Sequence, residues 1–244
     1  MKALLLAGSL LCAGAASAAD ITVLSSTGLT TTFEALASTF EAKSGDHLLI
    51  TYGTTGQLKK RIDEGESFDL CVLTAPMIDE LIKTGKAAAP RTDLARSGIG
   101  IAIKKGAAKP DISTPEAFRQ TLLAAKSLAY TSTGASGAYF VQLSEKLGIA
   151  EAVKAKSHTI AGGAAAELVA KGEAELAVQQ ISELLPVAGT EIAGPLPPEL
   201  QSVTTFSAGI SARAQDAAPA RALADFLTSP DAVAVIRVKG MEPG

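Results

Sequence analysis

The sequence has 244 residues, of which 47% are hydrophobic and 4% aromatic, and its formal net charge is −3. This length suffices for one large domain or two lobes around an aliphatic core. The acidic balance excludes a nucleic-acid-binding protein, which needs a basic surface, but backbone dipoles can bind a small anion without net positive charge.

The chain begins with a pattern typical of a secretory signal peptide. Lys2 supplies a positive start, residues 3–16 are apolar, and Ala16-Ser17-Ala18 is a small-x-small cleavage site. The apolar run is shorter than the roughly 20 residues that span a bilayer. We therefore predict a signal peptide over residues 1–18 and an exported mature protein.

Strand-like and helical segments alternate along the rest of the chain. Strands are predicted at Ile21–Leu24, Leu48–Tyr52, Leu70–Leu73, Ile99–Ile103, Ser127–Thr131, Ala174–Gln180 and Val203–Ser211. Helices are predicted at Phe33–Lys43, Gln57–Glu64, Pro76–Thr84, Pro115–Ala125, Ala138–Leu147, Ala164–Lys171, Ala217–Leu227 and Pro230–Val238. The alternation predicts α/β layers with largely parallel sheets, and the piece Gly194–Pro198 is interpreted as a connection.

Cysteine and histidine form no reactive pattern. Once residues 1–18 are removed, Cys71 is the remaining cysteine, which excludes an internal disulfide. Its apolar neighbours predict a buried core thiol. His47 and His158 are far apart, and the sequence has no ligand spacing of the zinc kind. We therefore expect neither a metal nor a cofactor.

Four junctions, each before a helix and the first three after a predicted strand, are rich in Ser, Thr and Gly. They cover residues 25–30, 53–56, 131–137 and 159–163. Helix N-termini present unpaired N–H groups and partial positive charge, and glycine allows a ligand close to the backbone. Because ligands of open α/β sheets lie beyond the carboxyl ends of the strands, the junctions together predict an uncharged cradle for a small anion. Ordinary helix capping explains any single junction equally well.

Several stretches resemble the periplasmic molybdate-binding proteins of ABC importers, and in particular a divergent branch similar to periplasmic aconitate isomerases. These stretches are residues 21–24, 58–65, 68–70, 168–174, 222–231 and 239–243. The resemblance implies a type-2 periplasmic binding fold, with two α/β lobes joined by a two-segment hinge. We place lobe one at residues 20–98 plus 206–244 and lobe two at residues 99–205. The resemblance also implies a monomer in the periplasm, a small anionic ligand and an ABC permease of the inner membrane as partner.

The oxyanion site of that family, carried over by resemblance, falls on the same junctions. Its first serine matches Gly28, and its tyrosine lies near Gln180. Loss of these two hydroxyls favours an organic carboxylate over molybdate, because Gly28 opens space and a glutamine amide both donates and accepts. The predicted ligand-binding residues are Ser26, Thr27, Gly28, Thr54, Thr55, Ser136, Gly162 and Gln180.

Two other functions stay open. The resemblance is compatible with an enzyme that interconverts trans- and cis-aconitate by proton transfer, which needs one positioned acid or base with a tuned pKa. No His, Lys or carboxylate matches a site position, so the catalytic residue is unassigned. The nearby candidates are Tyr52, Lys59, Tyr130, Tyr139 and Glu167. A protein that presents its ligand to a sensor would use the same cleft.

Overall fold

The computed structural model describes residues 18–244, so the predicted signal peptide lies outside the described residues except for Ala18. The strands are β1 (Asp20–Ser26), β2 (His47–Gly53), β3 (Leu70–Thr74), β4 (Ala87–Lys104), β5 (Leu128–Thr131), β6 (Ser157–Ile160), β7 (Leu176–Gln180), β8 (Thr190–Pro195), β9 (Val203–Ser211) and β10 (Glu242–Pro243). The α-helices are α1 (Thr30–Ser44), α2 (Thr55–Asp63), α3 (Ala75–Lys83), α4 (Pro115–Ala124), α5 (Ala135–Lys146), α6 (Ala150–Lys154), α7 (Ala166–Lys171), α8 (Ile181–Leu184), α9 (Ala218–Leu227) and α10 (Pro230–Val238). Short 3-10 helices cover Thr27–Leu29 and Pro198–Leu200. Among the helices of the described residues, none is both long and apolar enough to cross a bilayer.

The strands follow the order β2-β1-β3-β9-β4-β7-β5-β6, with β8 and β10 also paired to β4. Strands β1, β2 and β3 run parallel, as do β5, β6 and β7. Strand β4 is shared: residues 87–98 pair with β9, and residues 99–104 pair with β7 and β8. The chain therefore forms two α/β lobes, which confirms the predicted fold class. The residue boundaries of the lobes stay a prediction, and we use the names lobe one and lobe two for the two parts of the sheet.

Each lobe has apolar packing on both faces of its sheet, because successive side chains of a strand point to opposite faces. In β3, Leu70 and Val72 join one cluster with Phe33, whereas Cys71 and Leu73 join another. Cys71 is fully buried, and burial raises the pKa of its thiol to about 12. The predicted core role of this cysteine is thus confirmed.

The side chain of Gln201 holds β4 at the point where the strand passes between the lobes. Its Oε1 accepts from the backbone N–H of Ile99 at 2.8 Å, and its Nε2 donates to the Ile99 carbonyl at 3.0 Å. The amide also lies against Gly98, where an added Cβ would be 3.2 Å from Nε2. One glutamine side chain therefore bonds both backbone groups of Ile99, at the point where β4 passes from β9 to β8.

Several elements differ from the sequence-based prediction, and β6, β10, α6 and α8 have no predicted counterpart. The strand predicted at Ile99–Ile103 is the second half of β4, whose first half is partly exposed and contains Pro90. Strand β8 was not predicted, and its partly exposed residues overlap the piece interpreted as a connection. The sheets are also less parallel than predicted, because β4 and β9 run antiparallel to their neighbours.

Removal of the Gln201 amide is expected to destabilise the protein. Gln201→Ala leaves the N–H of Ile99 without its partner, and an unsatisfied backbone group costs about 1–3 kcal/mol. Urea unfolding measures the change in free energy. Gln120→Ala is the matched control, because the bond that the Gln120 amide makes within residues 18–244 is to Glu116 on the exposed face of α4. Equal stability of the two variants would contradict the assigned role of Gln201.

Candidate functional site

Three of the four predicted junctions meet where the lobes touch. The Oγ1 atoms of Thr54 and Thr133 are 2.9 Å apart, and the Gln57 amide donates to the carbonyl of Ala161 at 3.1 Å. Gly162 faces the same place, since a Cβ there would lie 3.5 Å from Gln57 Oε1. The second, third and fourth junctions are thus brought together from both lobes.

Local capping explains why Thr54 is fixed at this contact. Its hydroxyl accepts from the N–H of Gln57, and the Gln57 side chain accepts from the N–H of Thr54, which makes a capping box at the start of α2. The hydroxyl of Thr133 donates to the Ala161 carbonyl. The proton between the two threonines therefore belongs to Thr54. Thr55, the first residue of α2, is buried beside it.

The N-terminus of α5 carries a polar group without a partner. Gly134 precedes the helix and offers no side-chain cap, so the first backbone N–H groups of α5 have no helical acceptor. The Ser136 hydroxyl is in this first turn, its residue is 1% exposed, and the hydroxyl has no hydrogen-bond partner within residues 18–244. A buried orphan hydroxyl beside free N–H groups fits a place for an anionic group.

The first junction lies at the end of β1 and continues into the 3-10 helix. Ser26 is buried, and its hydroxyl accepts from the N–H of Gly28 at 3.4 Å. A Cβ on Gly28 would lie 2.5 Å from Cζ of Phe206. The prediction that Gly28 opens space for a larger anion is therefore wrong, because the phenyl ring fills that space.

The predicted ligand residue Gln180 is turned toward the hinge. Its side chain lies 2.7 Å from Thr204 Oγ1 on β9. The orientation that satisfies both amide atoms has the oxygen accepting from Thr204 and the nitrogen donating to the carbonyls of Ser97 at 2.9 Å and Gly98 at 3.2 Å. The amide thereby joins β4 to β9, and its predicted contact with a ligand stays a prediction.

A carboxyl group that the sequence reasoning missed lies between the lobes. Glu183 Oε1 accepts from the Thr27 hydroxyl at 2.6 Å, so α8 of lobe two is bonded to the 3-10 helix of lobe one. The residue as a whole is partly exposed, but the carboxyl group is enclosed, and this desolvation raises its pKa to about 7. Hydrogen bonds from Thr27 and Gln179 act against the rise. Glu183 comes three residues after Gln180, so its position just beyond a strand end was the available signal.

Gln179 connects this carboxyl group with the other junctions. Its Oε1 accepts from the N–H of Ala165 at 2.7 Å, and its Nε2 donates to the carbonyl of Gly163 at 2.9 Å. The same amide hydrogen-bonds Glu183. The side chain is fully buried. The loop after β6 and the acid of α8 are therefore held by one residue of β7.

The acid–base candidates taken from the sequence all have other contacts. Lys59 pairs with Asp63 at 2.7 Å and Glu80 at 2.9 Å, and these hydrogen bonds raise the pKa of its ammonium group. Burial raises the pKa of Tyr52 to about 12. The remaining contacts are Tyr139 to the Leu200 carbonyl, Tyr130 to the Phe140 ring, and Glu167 to Lys171. Glu183 is thus the better-placed acid.

A cavity of about 450 Å³ lies away from the junctions, at the other end of lobe one. Its lining consists of Thr22, Lys86, Ser211 and the residues 62–63, 65–69 and 213–216. Thr22 precedes the end of β1 that carries Ser26, so the cavity does not include the strand ends where the junctions meet. Position and chemistry therefore favour the interlobe contact as the functional site.

The chain matches the family described as bacterial extracellular solute-binding protein over residues 21–242. It is 37% identical to an aconitate isomerase of a Pseudomonas species, with 100% of this chain and 95% of the relative covered. It is 29% identical to the molybdate-binding protein ModA of Azotobacter vinelandii, over 96% of this chain and 93% of the relative. The solved periplasmic molybdate-binding protein of Azotobacter vinelandii superposes with a TM-score of 0.76 at 21% identity, over 91% of this chain and 98% of that one. That structural likeness supports the fold alone.

Substitution of Gly28 tests its packing against Phe206. Gly28→Ala is expected to lower the free energy of unfolding by about 1–3 kcal/mol, as for other overpacked cores. Phe206→Leu, which shortens the opposing side chain, should reduce the cost of the alanine. Urea unfolding of both single variants and the double variant measures this coupling. Strictly additive effects would show that the two residues do not compete for space.

The raised pKa of Glu183 predicts a pH-dependent stability. A pKa of about 7 in the folded protein, against 4.5 ordinarily, means that the neutral carboxyl is favoured by folding. The contribution of the neutral carboxyl to the free energy of unfolding is fully present below pH 4.5. It is lost as the pH rises through about 7. Glu183→Gln mimics the neutral form, so it should be more stable than the wild type at pH 8 and similar at pH 4. Chemical unfolding of the wild type and Glu183→Gln between pH 4 and pH 8 measures this difference. Glu167→Gln is the control for a surface carboxylate, and a Glu183→Gln variant without a pH-dependent difference would contradict the prediction.

Proposed function

The chain belongs to the bacterial extracellular solute-binding protein family, and within it we propose that this protein is an exported enzyme that interconverts trans- and cis-aconitate. The observation that carries the proposal is the enclosed carboxyl group of Glu183, with its pKa of about 7. A general acid–base group works best when its pKa is near the operating pH. A protein that only carries anions gains nothing from a carboxylate beside its ligand, because the ionised carboxylate repels the anionic ligand.

The reaction needs one proton to move between two carbon atoms. Ionised Glu183 removes a proton from the methylene carbon of the substrate, and the electron pair of that C–H bond shifts the double bond toward this carbon. The protonated Glu183 carboxyl then delivers this proton to the former vinyl carbon. Atoms and charge balance without an external oxidant or reductant. The transient negative charge is spread onto a substrate carboxylate, which preorganised donors stabilise.

The donors for the substrate carboxylates are those of the interlobe contact. The N-termini of α2 and α5 carry partial positive charge, and the Ser136 hydroxyl has no other partner within the described residues. We propose Ser26, Thr27, Gly28, Thr54, Thr55, Ser136, Gly162 and Gln180 as the residues around the ligand. Thr54, Thr133 and Gly162 approach from opposite lobes, so the lobes must part to admit a substrate.

The comparisons support the same choice. The relative that is 37% identical over the whole chain is named an aconitate isomerase, whereas the molybdate-binding relative is 29% identical. We also propose the periplasm as the location, since the family is extracellular and the first 18 residues have the pattern of a signal peptide. We further propose that the protein is a monomer, with lobe one at residues 20–98 plus 206–244 and lobe two at residues 99–205.

A second candidate function is carriage of a small anion to an ABC permease. The sequence likeness to a molybdate-binding protein favours it. In this function Glu183 would serve only to join the lobes through Thr27. The two candidates differ in whether the ligand leaves the protein changed.

The test is to incubate the purified protein with trans-aconitate and to follow cis-aconitate by proton NMR. Turnover is expected in the wild type, and Glu183→Gln should reduce kcat by about 10²–10⁴-fold, the usual effect of a general acid–base group. The variant should still be stabilised by aconitate in a thermal-shift assay, because the donors remain. Glu167→Gln is the matched control and should keep full turnover.

The carrier function predicts a different result. Molybdate or tungstate would then raise the melting temperature strongly, because the ligand binds the folded state and not the unfolded chain. Aconitate would remain unchanged during incubation. That pair of results would overturn the proposed isomerase.

A further inference from the structure

The hydrogen bond between Thr27 and Glu183 crosses from one lobe to the other. Thr27 is in the 3-10 helix of lobe one, and Glu183 is in α8 of lobe two. The distance of 2.6 Å lies within the range of a hydroxyl bonded to a carboxylate. Because the two residues belong to different lobes, this contact exists only while the lobes are together.

We propose that Thr27 is a positioning residue, whose hydroxyl orients the Glu183 carboxylate and stabilises its ionised form when the lobes close. The inference rests on the proposed function, since it assigns the residue that makes the acid–base group competent. The two lobes therefore close around the substrate in the same step that orients the Glu183 carboxylate as the base. Substrate that has not drawn the lobes together does not meet an oriented base.

The surroundings of Glu183 leave Thr27 a distinct role. Gln179, the second donor to the carboxyl group, belongs to the same lobe as Glu183 and stays with it when the lobes part. Burial raises the pKa of the carboxyl group, and the hydrogen bonds from Thr27 and Gln179 lower it. Strands β4 and β8 pack against α8, and most of their charged residues bond elsewhere: Arg91 to Asp79 and Asp93, Arg96 to the Pro243 carbonyl, and Glu191 to the Gly106 N–H. Lys104 is the exposed last residue of β4.

The hydroxyl of Thr27 has no local structural duty. Its hydrogen bond to Glu183 is the one it makes within the described residues. The 3-10 helix is capped by Ser26 instead, through the N–H of Gly28. Thr27→Val, which keeps the shape of the side chain and removes the hydroxyl, should therefore fold as the wild type does.

The test is the pH dependence of turnover in two variants of Thr27. Thr27→Val should lower kcat roughly tenfold or more, the effect of losing one hydrogen bond to a charged group. The acidic limb of its pH–rate profile should move to higher pH, because loss of a donor to the carboxylate raises the pKa of Glu183. Thr27→Ser keeps the donor and should restore both quantities.

Thr133→Val separates this effect from lobe closure in general. It removes the hydroxyl contact with Thr54 across the lobes, together with the bond to the Ala161 carbonyl, and leaves both donors of Glu183 in place. We expect its KM to rise while the acidic limb of kcat stays in place. The role of Thr27 would be overturned if the acidic limb of the pH–rate profile shifts in Thr133→Val. It would also be overturned if that limb and kcat are unchanged in Thr27→Val. Neither result would contradict the proposed isomerase activity.

An independent measurement covers the case in which the wild type has no turnover, which would overturn the proposed function itself. Infrared difference spectra across the pH range follow the protonated carboxyl band of Glu183, which is assigned by its loss in Glu183→Gln. The titration should move to higher pH in Thr27→Val and not in Thr133→Val. An unmoved titration in Thr27→Val would overturn the positioning role.

Discussion

Two consecutive glutamines at the end of β7 join the parts of this protein that have to act together. Side chains of adjacent strand residues point to opposite faces, so Gln179 and Gln180 serve different surroundings. Gln179 holds the loop after β6 and bonds Glu183, whereas Gln180 joins the two strands of the hinge. Both residues are buried, and an unmet amide there would be costly. The hinge and the acid are therefore fixed to one short strand.

The electrostatics of the site follow from this arrangement. In the proposed site, helix N-termini and hydroxyls are the groups that bind the anion, and they bring no formal charge into the contact between the lobes. A neutral surrounding is also what allows a single carboxyl group to keep a pKa of about 7, since a nearby Lys or Arg would lower it. The same lack of cationic side chains thus suits both the binding of an anion and the transfer of a proton.

Much of the fold could be predicted because most of its elements have strong local patterns. The strands with regular apolar residues and the long helices were found within a few residues of their bounds. Strand β8 and the first half of β4 were missed because their partly exposed residues lack clear alternation, and pairing between distant segments defines them. In the site, the helix N-termini could be read from Ser, Thr and Gly. The Phe206 ring over Gly28 and the enclosure of Glu183 depend on tertiary contacts, which no local pattern encodes.

The strand order has a consequence for how the chain matures. Strand β9 lies between β3 and β4, although residues 203–211 come long after both in the sequence. Lobe one therefore cannot close its sheet until nearly the whole polypeptide has been synthesised, whereas lobe two is built from one uninterrupted stretch. Pairing of such distant segments is intrinsically slow. The order of assembly thus leaves β3, in the amino-terminal part of a newly made chain, without its β9 partner until the carboxyl-terminal segment has been made.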